Sequence, residues 1–568
     1  MKFFSCLILI IYASLISSLN HNGISREIKY KLKNVNNPQN FDESELKRSN
    51  AEESLGQNKI IELESDFIVT KISWTKKENY KFNYLLGIFE GANDPSFIDG
   101  IPIGIIKEEG SFDGSNYVDV DFPFSFKYIR YVPPNRNSTD INPIQIYGYK
   151  KSKDIGEEKA FQATNLPLIS IHTENDQVPN RNEDINCQII LINEGKIEIN
   201  DTARIKIRGR TTGLIPPKKP YRIKFSNKQK ILNFKGKDKK WTLLANSFDR
   251  SLMRNSIAYK ISELMKFKFT ARCEPVDVVL NGNFQGNYFI CDKIDVDKNR
   301  INITKMEMTD ITVPNVTGGY VLEIDSLSSW EKNSFKTTKG IPGQIIYPED
   351  DEITPEQATY IKNKLNQFED EIYNGILDNI DLESYSKYFL VEEFCGDPDH
   401  VWSSFYFIKE RNDDKFYFGP VWDFDLAFDN DERLYPTSLK TDFCFKLCDS
   451  AGTAKEFIQT LIENKNIIGY IKNTWDELTN TVLTEKALFD FIEELKRKIQ
   501  ESSELNFIKW DNFVPEAPAP WDIDFGRKGE DFETSVEIVK GYVKDRLISL
   551  TNLINKAYSL SINNDSIN

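Results

Sequence analysis

The sequence predicts an α+β protein with two lobes, preceded by an all-β domain. From about residue 60 to residue 150, short runs of alternating apolar and polar side chains are separated by Gly, Pro, Asn and Asp, as in antiparallel strands. Strand-like runs continue from Leu166 to about Asp325, whereas helical periodicity dominates after Pro355. Because the strands precede the helices instead of alternating with them, the sequence favours a segregated α+β arrangement.

The first 18 residues are typical of a secretory signal peptide. They contain one lysine, an apolar stretch from Phe3 to Ile16 and small residues at Ser17 and Ser18, and the apolar stretch is too short to span a membrane. Residues 19–58 are polar and aperiodic and are predicted to be a linker. We therefore expect a secreted, extracellular protein without a membrane span, and attachment to a cell wall or coat stays open.

Cysteines and glycosylation sequons agree with that expectation. Cleavage near Ser18 leaves six cysteines, an even number that makes disulfides plausible in an oxidising compartment, although their spacing gives neither a pairing nor a zinc motif. Asn-X-Ser/Thr sequons occur at Asn137, Asn200, Asn302, Asn315 and Asn564. The formal net charge of −15 argues against a nucleic-acid partner, which would select a basic surface.

The region 59–150 is predicted to be a β-sandwich. The runs "YVDVDF", "FKYIRYV" and "IQIYGY" alternate apolar and polar residues. The stretch "FKYIRYVPPNRNSTDINPIQIYGY" resembles the closing strands of discoidin-type (F5/8 C) sandwiches, a resemblance that implies a carbohydrate or cell-surface ligand. A purely structural role is an equal alternative. A charged linker, residues 151–165, follows.

The region 166–556 is predicted to form the second domain, and the polar residues 557–568 a disordered tail. "DRSLMRNSIAYKISELM" has Leu252, Ile257, Ile261 and Leu264 on one side, which predicts a helix. In "TEKALFDFIEELKRKI" the apolar residues follow the same period, with Thr484 as a possible N-cap. In "GGYVLEID", Glu323 and Asp325 alternate with apolar residues and are predicted to line the wet face of a strand.

Two aspartates stand in the apolar run "FYFGPVWDFDLAFDN". On an extended strand Asp423 and Asp425 would share a face, and buried carboxylates require a cation or a metal. An EF-hand is excluded by Ala427 and Phe428 at its fifth and sixth positions. Two carboxylates on one strand face are too close to flank a glycosidic bond. A strand end whose acids cap a turn is the remaining structural alternative.

A second acidic site lies upstream, in "VEEFCGDPDHVWSSFYFIKE". "SSFYFIKE" and "KFYFGPVWDFD" are predicted to be strands joined by "RNDDK". This hairpin would bring Asp399 near Asp423. Phosphoryl transfer needs such a pair: one aspartate orients the attacking hydroxyl and the other holds the metal that bridges the phosphates.

The stretch "IKIRGRTTGLIPPKKPYRIKF" is the expected source of a cation for the phosphates. If a strand begins at Lys219, this lysine shares a face with Tyr221, Ile223 and Phe225 and requires an anionic partner. A solvated basic strand is the alternative.

These stretches resemble the CotH family, the spore-coat protein H type of atypical secreted protein kinase. The further matching stretches are "LLANSFDRSLMRN", "VDVVLNGNFQGNYFICDKID", "GGYVLEID" and "GPVWDFDLAFDN". The resemblance implies a bilobal kinase-like fold that uses ATP with Mg²⁺ or Mn²⁺ and phosphorylates Ser or Thr of secreted, cell-wall or coat proteins. It implies that Asp399 and Asp423 are catalytic. It assigns nucleotide binding to Lys219, Arg208, Asp292 and Trp422, and metal binding to Asp423, Asp425 and Ser404.

Three positions depart from the family pattern. Ser404 replaces an Asn that serves as a metal ligand in several members, Asp292 replaces a Glu that would pair with the lysine, and Asp397 replaces an Asn. The alternative function is a catalytically silent adhesin, invasin-like or coat-assembly protein with the same fold, and Ser404 is the residue that most favours it.

Overall fold

The computed structural model describes residues 60–63, 67–76, 84–110, 116–120, 124–134, 141–150, 159–399, 401–431, 439–447, 452–510 and 531–565. The predicted signal peptide, the linker 19–58, most of the linker 151–165 and Asn137 lie outside these residues. Within the described part of the chain, no helix is long and apolar enough to cross a membrane.

Two antiparallel sheets share one core in the N-terminal region. The four-stranded sheet has the order β1-β6-β3-β4 and the three-stranded sheet the order β5-β2-β7. The strands are β1 (Ile60–Glu62), β2 (Phe67–Lys76), β3 (Ile88–Ala92), β4 (Ile101–Ile105), β5 (Asn116–Asp119), β6 (Tyr128–Val132) and β7 (Ile141–Lys150). Ile72 and Ile146 from one sheet and Phe89, Ile103 and Ile129 from the other are buried together. The β-rich N-terminal region is therefore a sandwich of two packed sheets.

A closed barrel of seven strands follows, in the order β10-β11-β12-β14-β13-β8-β9. Its strands are β8 (Leu168–Thr173), β9 (Ile185–Asn193), β10 (Lys196–Ile207), β11 (Tyr221–Gln229), β12 (Asp238–Leu244), β13 (Cys273–Leu280) and β14 (Asn283–Asp292). Apolar residues such as Ile189, Ile205, Ile223 and Val278 fill one core. Cys273 and Cys291 face each other on β13 and β14 and form a disulfide.

A separate sheet of five strands lies after the barrel in the chain and has the order β16-β17-β15-β18-β19. Its strands are β15 (Tyr320–Ile324), β16 (Ser334–Lys336), β17 (Pro342–Tyr347), β18 (Phe405–Lys409) and β19 (Phe416–Phe418). The pairing of β18 with β19 confirms the predicted hairpin. The sheet thus joins strands from before and after the first long helices of the chain.

The helices lie mainly in the second half, as predicted. They are α1 (Thr211–Leu214), α2 (Arg254–Leu264), α3 (Pro355–Tyr373), α4 (Leu382–Cys395), α5 (Cys444–Leu447), α6 (Gly452–Glu463), α7 (Lys465–Thr481), α8 (Glu485–Trp510) and α9 (Phe532–Asp565). The predicted N-cap Thr484 accepts from the Ala487 amide at 3.2 Å. Helix α9 continues to Asp565, so residues 557–565 are helical where a disordered tail was predicted.

The end of α4 fixes the direction of the next loop. Gly396 follows the helix in the left-handed conformation, with φ of 64°, which glycine adopts without strain. A Cβ atom there would collide with the Tyr542 hydroxyl of α9. Gly396 therefore turns the chain directly from α4 into the segment that carries Asp397 and Asp399.

A buried ion cluster joins the sandwich to the barrel. The Glu90 carboxylate of β3 accepts from Arg130 Nε at 2.8 Å and lies 3.1 Å from His172 Nε2 on β8. Arg130 also reaches Asp176 at 3.4 Å. Burial disfavours the charged Glu90, but His172 and Arg130 outweigh it and hold the pKa of Glu90 below its ordinary value.

Candidate functional site

The loop after β19 carries Asp423 and Asp425, and it is not a strand. Strand β19 ends at Phe418, and Asp423 has φ of 71°, outside the β region. The prediction that both aspartates project from one strand face is therefore wrong. Asp425 is buried, whereas the Asp423 side chain is exposed at the surface of the loop.

Side chains from the segment before α2 and the first turn of α2 hold this loop in place. The Phe424 amide donates to Asn255 Oδ1 at 2.8 Å, and Arg254 Nε donates to the Ala427 carbonyl at 3.0 Å. Arg254 itself is buried in an ion pair with Asp249. The stretch "LLANSFDRSLMRN" thus holds the loop "WDFDLAF" in position through these hydrogen bonds. Sequence reasoning predicted only a helix there, although the polar residues Asp249 and Asn255 beside an apolar pattern were a signal of this role.

The Asp399 loop is built on a short hydrogen-bonded turn. The Asp399 carbonyl accepts from the amides of Trp402 at 2.7 Å and Ser403 at 3.0 Å. The Asp399 amide donates to Asp397 Oδ1 at 3.1 Å. The side chain of Asp399 is half-buried and that of Asp397 buried. The departure Asp397 therefore caps the loop that presents Asp399.

Like charges crowd together where the two loops meet. Burial and the charge of Glu392, with that of Asp399, raise the pKa of Asp397 well above its ordinary value. Burial and the charge of Asp423 do the same to the pKa of Asp425. Desolvation and Asp399 also raise the pKa of Asp423, against an opposing effect of Arg208. Because the Asp423 side chain is exposed, we ascribe its desolvation to the protein atoms packed around the loop and not to complete burial.

Arg208 is the cation that faces this carboxylate group. Its guanidinium lies 5.4 Å from the centroid of the Trp422 ring, within the range of a cation–π contact. Trp422 stacks on Tyr259 of α2 at 5.8 Å between ring centroids. The structure therefore brings Asp399, Asp423, Asp425, Arg208 and Trp422 into one group, all of them predicted site residues.

Lys219 is placed differently from the prediction. Strand β11 begins at Tyr221, and the half-buried Lys219 donates to the Leu214 carbonyl at 3.0 Å. Desolvation and the charge of Arg181 lower its pKa. The fully buried lysine is Lys218, which donates to the Asn287 carbonyl and to Asn506 Oδ1. Tyr221, Ile223 and Phe225 are buried on one face of β11 as predicted, but the strand begins after Lys219, so Lys219 is not part of that face.

Asp292 takes arginine partners instead of a lysine. Its carboxylate accepts from Arg272 Nε at 2.6 Å and from Arg300 Nε at 3.2 Å. These contacts saturate a fully buried carboxylate. The expected lysine–acid pair with Lys219 is thus replaced by an arginine cluster at the end of β14.

The carboxylates fit a hard divalent cation in donor type, since Mg²⁺ and Mn²⁺ prefer oxygen ligands. Among the described residues, however, no three His, Cys, Asp or Glu side chains are arranged closely enough to hold a metal ion. Ser404 has φ of 60°, and its carbonyl accepts from the Tyr388 hydroxyl at 3.5 Å. Asp423 and Asp425 are the residues that would hold the ion.

Glu323 and Asp325 are buried and not on a wet face as predicted. Glu323 stands opposite Tyr406 of β18 and accepts from Gln344 of β17 at 2.6 Å. The charge of Asp423 contributes to the raised pKa of Tyr406, after burial and Glu323. This row of side chains therefore extends across the sheet toward the site.

A cavity of about 610 Å³ lies elsewhere, on the barrel. Its lining includes Cys187, Gln188, Arg204, Lys224 and Ser226, none of them a predicted site residue. We place the candidate site at the carboxylate group because charged side chains from several elements converge there.

Comparison with known proteins identifies the family. The model of the CotH kinase protein family matches residues 205–550, which is more than half of the chain. The chain belongs to the CotH kinase family. A protein-kinase-like role follows from this membership, and both aspartate loops and Arg208 lie inside the matched region.

The other comparisons add little. No curated protein matches the chain. Among solved structures, the chain is similar to CBM62 from Clostridium thermocellum Xyl5A, with 30% sequence identity and a TM-score of 0.14. The match covers 15% of this chain and 60% of that one. A TM-score this low carries no argument about fold or ligand.

Proposed function

We propose that this CotH family member is a secreted protein kinase that transfers the γ-phosphoryl group of ATP to Ser or Thr hydroxyls of secreted, cell-wall or coat proteins. The observation that carries the proposal is geometric: the loop of Asp423 and Asp425 is held by Asn255, and Arg208 lies over Trp422 of the same loop. Carboxylates brought together this way favour binding of a cation, and Arg208 beside them favours an anion. A divalent cation with a triphosphate supplies both.

Each residue has a separate task in this proposal. Asp399, held by its turn, orients the acceptor hydroxyl and takes its proton. Asp423 and Asp425 hold the divalent ion, which when bound neutralises charge on the phosphates. Arg208 offers fixed positive charge to the phosphates, and Trp422 keeps its guanidinium in position. Such a site acts through preorganised charge.

The barrel and the sheet with its helices would be the two lobes, with nucleotide held between the Arg208 loop and the two aspartate loops. Secretion is part of the proposal, because it rests on the signal-like residues 1–18. The side chains of Asn200, Asn302 and Asn315 are exposed, which supports their proposed glycosylation. A carbohydrate or cell-surface ligand for the sandwich remains a proposal on its resemblance to discoidin-type domains.

The test is transfer of label from γ-labelled ATP with Mg²⁺ or Mn²⁺ to the protein itself and to a Ser-rich acceptor. We expect Asp399→Asn and Asp423→Ala to lose on the order of a thousandfold in rate. Asp490→Asn is the matched control, because Asp490 lies exposed on α8, where it pairs with Lys486 of the same helix. Equal labelling by all variants would contradict the proposal.

Nucleotide binding separates the alternative function from the kinase. A catalytically silent adhesin or coat-assembly protein would show no shift of its unfolding temperature with Mg²⁺ and ATP. The proposed kinase should be stabilised by the nucleotide through mass action, by about 2.7 kcal/mol at a hundredfold excess over Kd.

A further inference from the structure

The arginines Arg208 and Arg210 leave the end of β10 on one loop but point to different partners. Gly209 stands between them with φ of 78°, a conformation that glycine adopts without cost. Arg208 lies over Trp422, whereas Arg210 Nη1 lies 2.5 Å from Asp325 Oδ2. The proposed catalytic and binding roles do not explain the contact between Arg210 and Asp325.

Asp325 is prepared to receive Arg210. Its side chain is buried, and its Oδ1 accepts from the Leu327 amide at 2.9 Å. Gln344 Nε2 lies 3.5 Å from Oδ2. Because backbone and sheet side chains already orient the carboxylate, it is a fixed anchor and not a mobile surface acid. Arg210 also reaches Glu331 at 3.2 Å, but Glu331 is largely exposed, so this second pair is worth little.

The anchor lies against the Asp399 loop. Ser326, the next residue after Asp325, donates its amide to the Trp402 carbonyl at 2.7 Å. The Trp402 amide in turn closes the turn on the Asp399 carbonyl. On the other side, Arg181 donates to the Arg210 carbonyl at 2.9 Å. The ion pair therefore links the barrel loop to the segment that presents Asp399.

We propose that Asp325, acting through Arg210, is a positioning residue: it fixes the loop from Arg208 to Gly213 so that Arg208 faces Asp423. The inference rests on the proposed kinase function. Loss of the pair leaves the loop joined to the barrel but free on the side of the site. The rate of phosphoryl transfer then falls because Arg208 is no longer held in one place, while the fold is retained.

The test is a double-mutant cycle in the full chain with Arg210→Ala, Asp325→Asn and the double variant. Turnover, KM for Mg·ATP and unfolding temperature are measured for each. We expect each single variant to lose on the order of tenfold in kcat with a smaller change in KM, and the double variant to lose no more than either one. Arg210→Lys should retain more activity than Arg210→Ala, because its charge still reaches Asp325.

Glu331→Gln is the matched control, since it removes the other acid near Arg210, and it should change kcat less than twofold. Activity losses that only follow the loss of folded protein would overturn the inference, as would additive effects or full activity of Asp325→Asn. An inactive wild-type chain that binds no Mg·ATP would instead refute the proposed function itself.

Discussion

Glu90 and the aspartates of the candidate site are carboxylates in opposite surroundings. Glu90 is enclosed by Arg130 at 2.8 Å and His172 at 3.1 Å, and its pKa is lowered. Asp397 and Asp425 are also buried, but their charged neighbours include the carboxylates of Glu392, Asp399 and Asp423. The pKa values of Asp397 and Asp425 are therefore raised.

The difference separates structure from function. A buried carboxylate with its cationic partner in place stabilises the junction that it joins, and its removal leaves a buried arginine without its closest counter-charge. A group of carboxylates that raise each other's pKa is unfavourable for folding and is retained where a ligand supplies the missing charge. The first cluster therefore explains how sandwich and barrel are joined, and the second is where the proposed kinase would hold its cation.

Glu90→Gln should break the junction with the largest effect. It removes the carboxylate closest to the buried Arg130, which keeps the 3.4 Å contact to Asp176 and the contact with the Phe97 ring. Removal of one partner from a buried pair costs about 3 kcal/mol of unfolding free energy. Denaturant unfolding measures this, with Asp119→Asn as the control on an exposed strand position. An unchanged midpoint would show that the cluster does not stabilise the junction.

The free energy of unfolding lost in Glu90→Gln should decrease as the pH is lowered. The folded-state pKa of Glu90 lies below its ordinary value of 4.5. Its contribution is therefore complete above that value and disappears as pH falls through the lowered folded pKa. The stability difference between wild type and Glu90→Gln should shrink in acid. A difference that grows below pH 4.5 would contradict the assigned sign.

Arg208→Ala should lower activity much more than stability, in contrast to Glu90→Gln. Arg208 is half-buried at an open site, so its loss should change the unfolding temperature little but lower phosphoryl transfer on the order of tenfold to a hundredfold. Arg204 precedes Arg208 in the chain and is exposed on β10. Arg204→Ala is therefore the control for loss of a positive charge. Equal rates for both variants would remove Arg208 from the site.

Asp425→Asn should have a small effect on stability, of the opposite sign to that of Glu90→Gln. It removes one negative charge from a crowded buried group, so the unfolding temperature should rise by about 2–4 °C. Activity should fall in the same protein, as expected where stability is sacrificed for function. A lower unfolding temperature would mean that the like charges are already compensated.

The fold was largely predictable because local patterns agreed with it. The alternation of apolar and polar residues predicted the sandwich strands and the β18–β19 hairpin. Thr484 predicted the start of α8. The end of β19 was missed, since Gly419 and Pro420 end the pairing while the apolar pattern continues into Trp422. Residues 557–565 were predicted to be a disordered tail because they are polar, whereas they continue helix α9.

The site was predictable where chemistry lay in short motifs, and not where it depended on distant partners. The motifs gave Asp399, Asp423 and Arg208. No sequence pattern shows that Asp292 takes Arg272 and Arg300, or that Lys218 and not Lys219 enters the core, because the partners come from other strands and helices. The Glu90 cluster joins residues from two regions and was missed for the same reason.

Calorimetric titration of the wild-type chain and of Asp423→Asn with ATP, with Mg²⁺ and after its removal by chelator, tests the central claim most directly. We expect the wild type to bind ATP only with the ion and Asp423→Asn to weaken this binding at least tenfold. Binding of equal strength with and without Mg²⁺, or in both proteins, would contradict it.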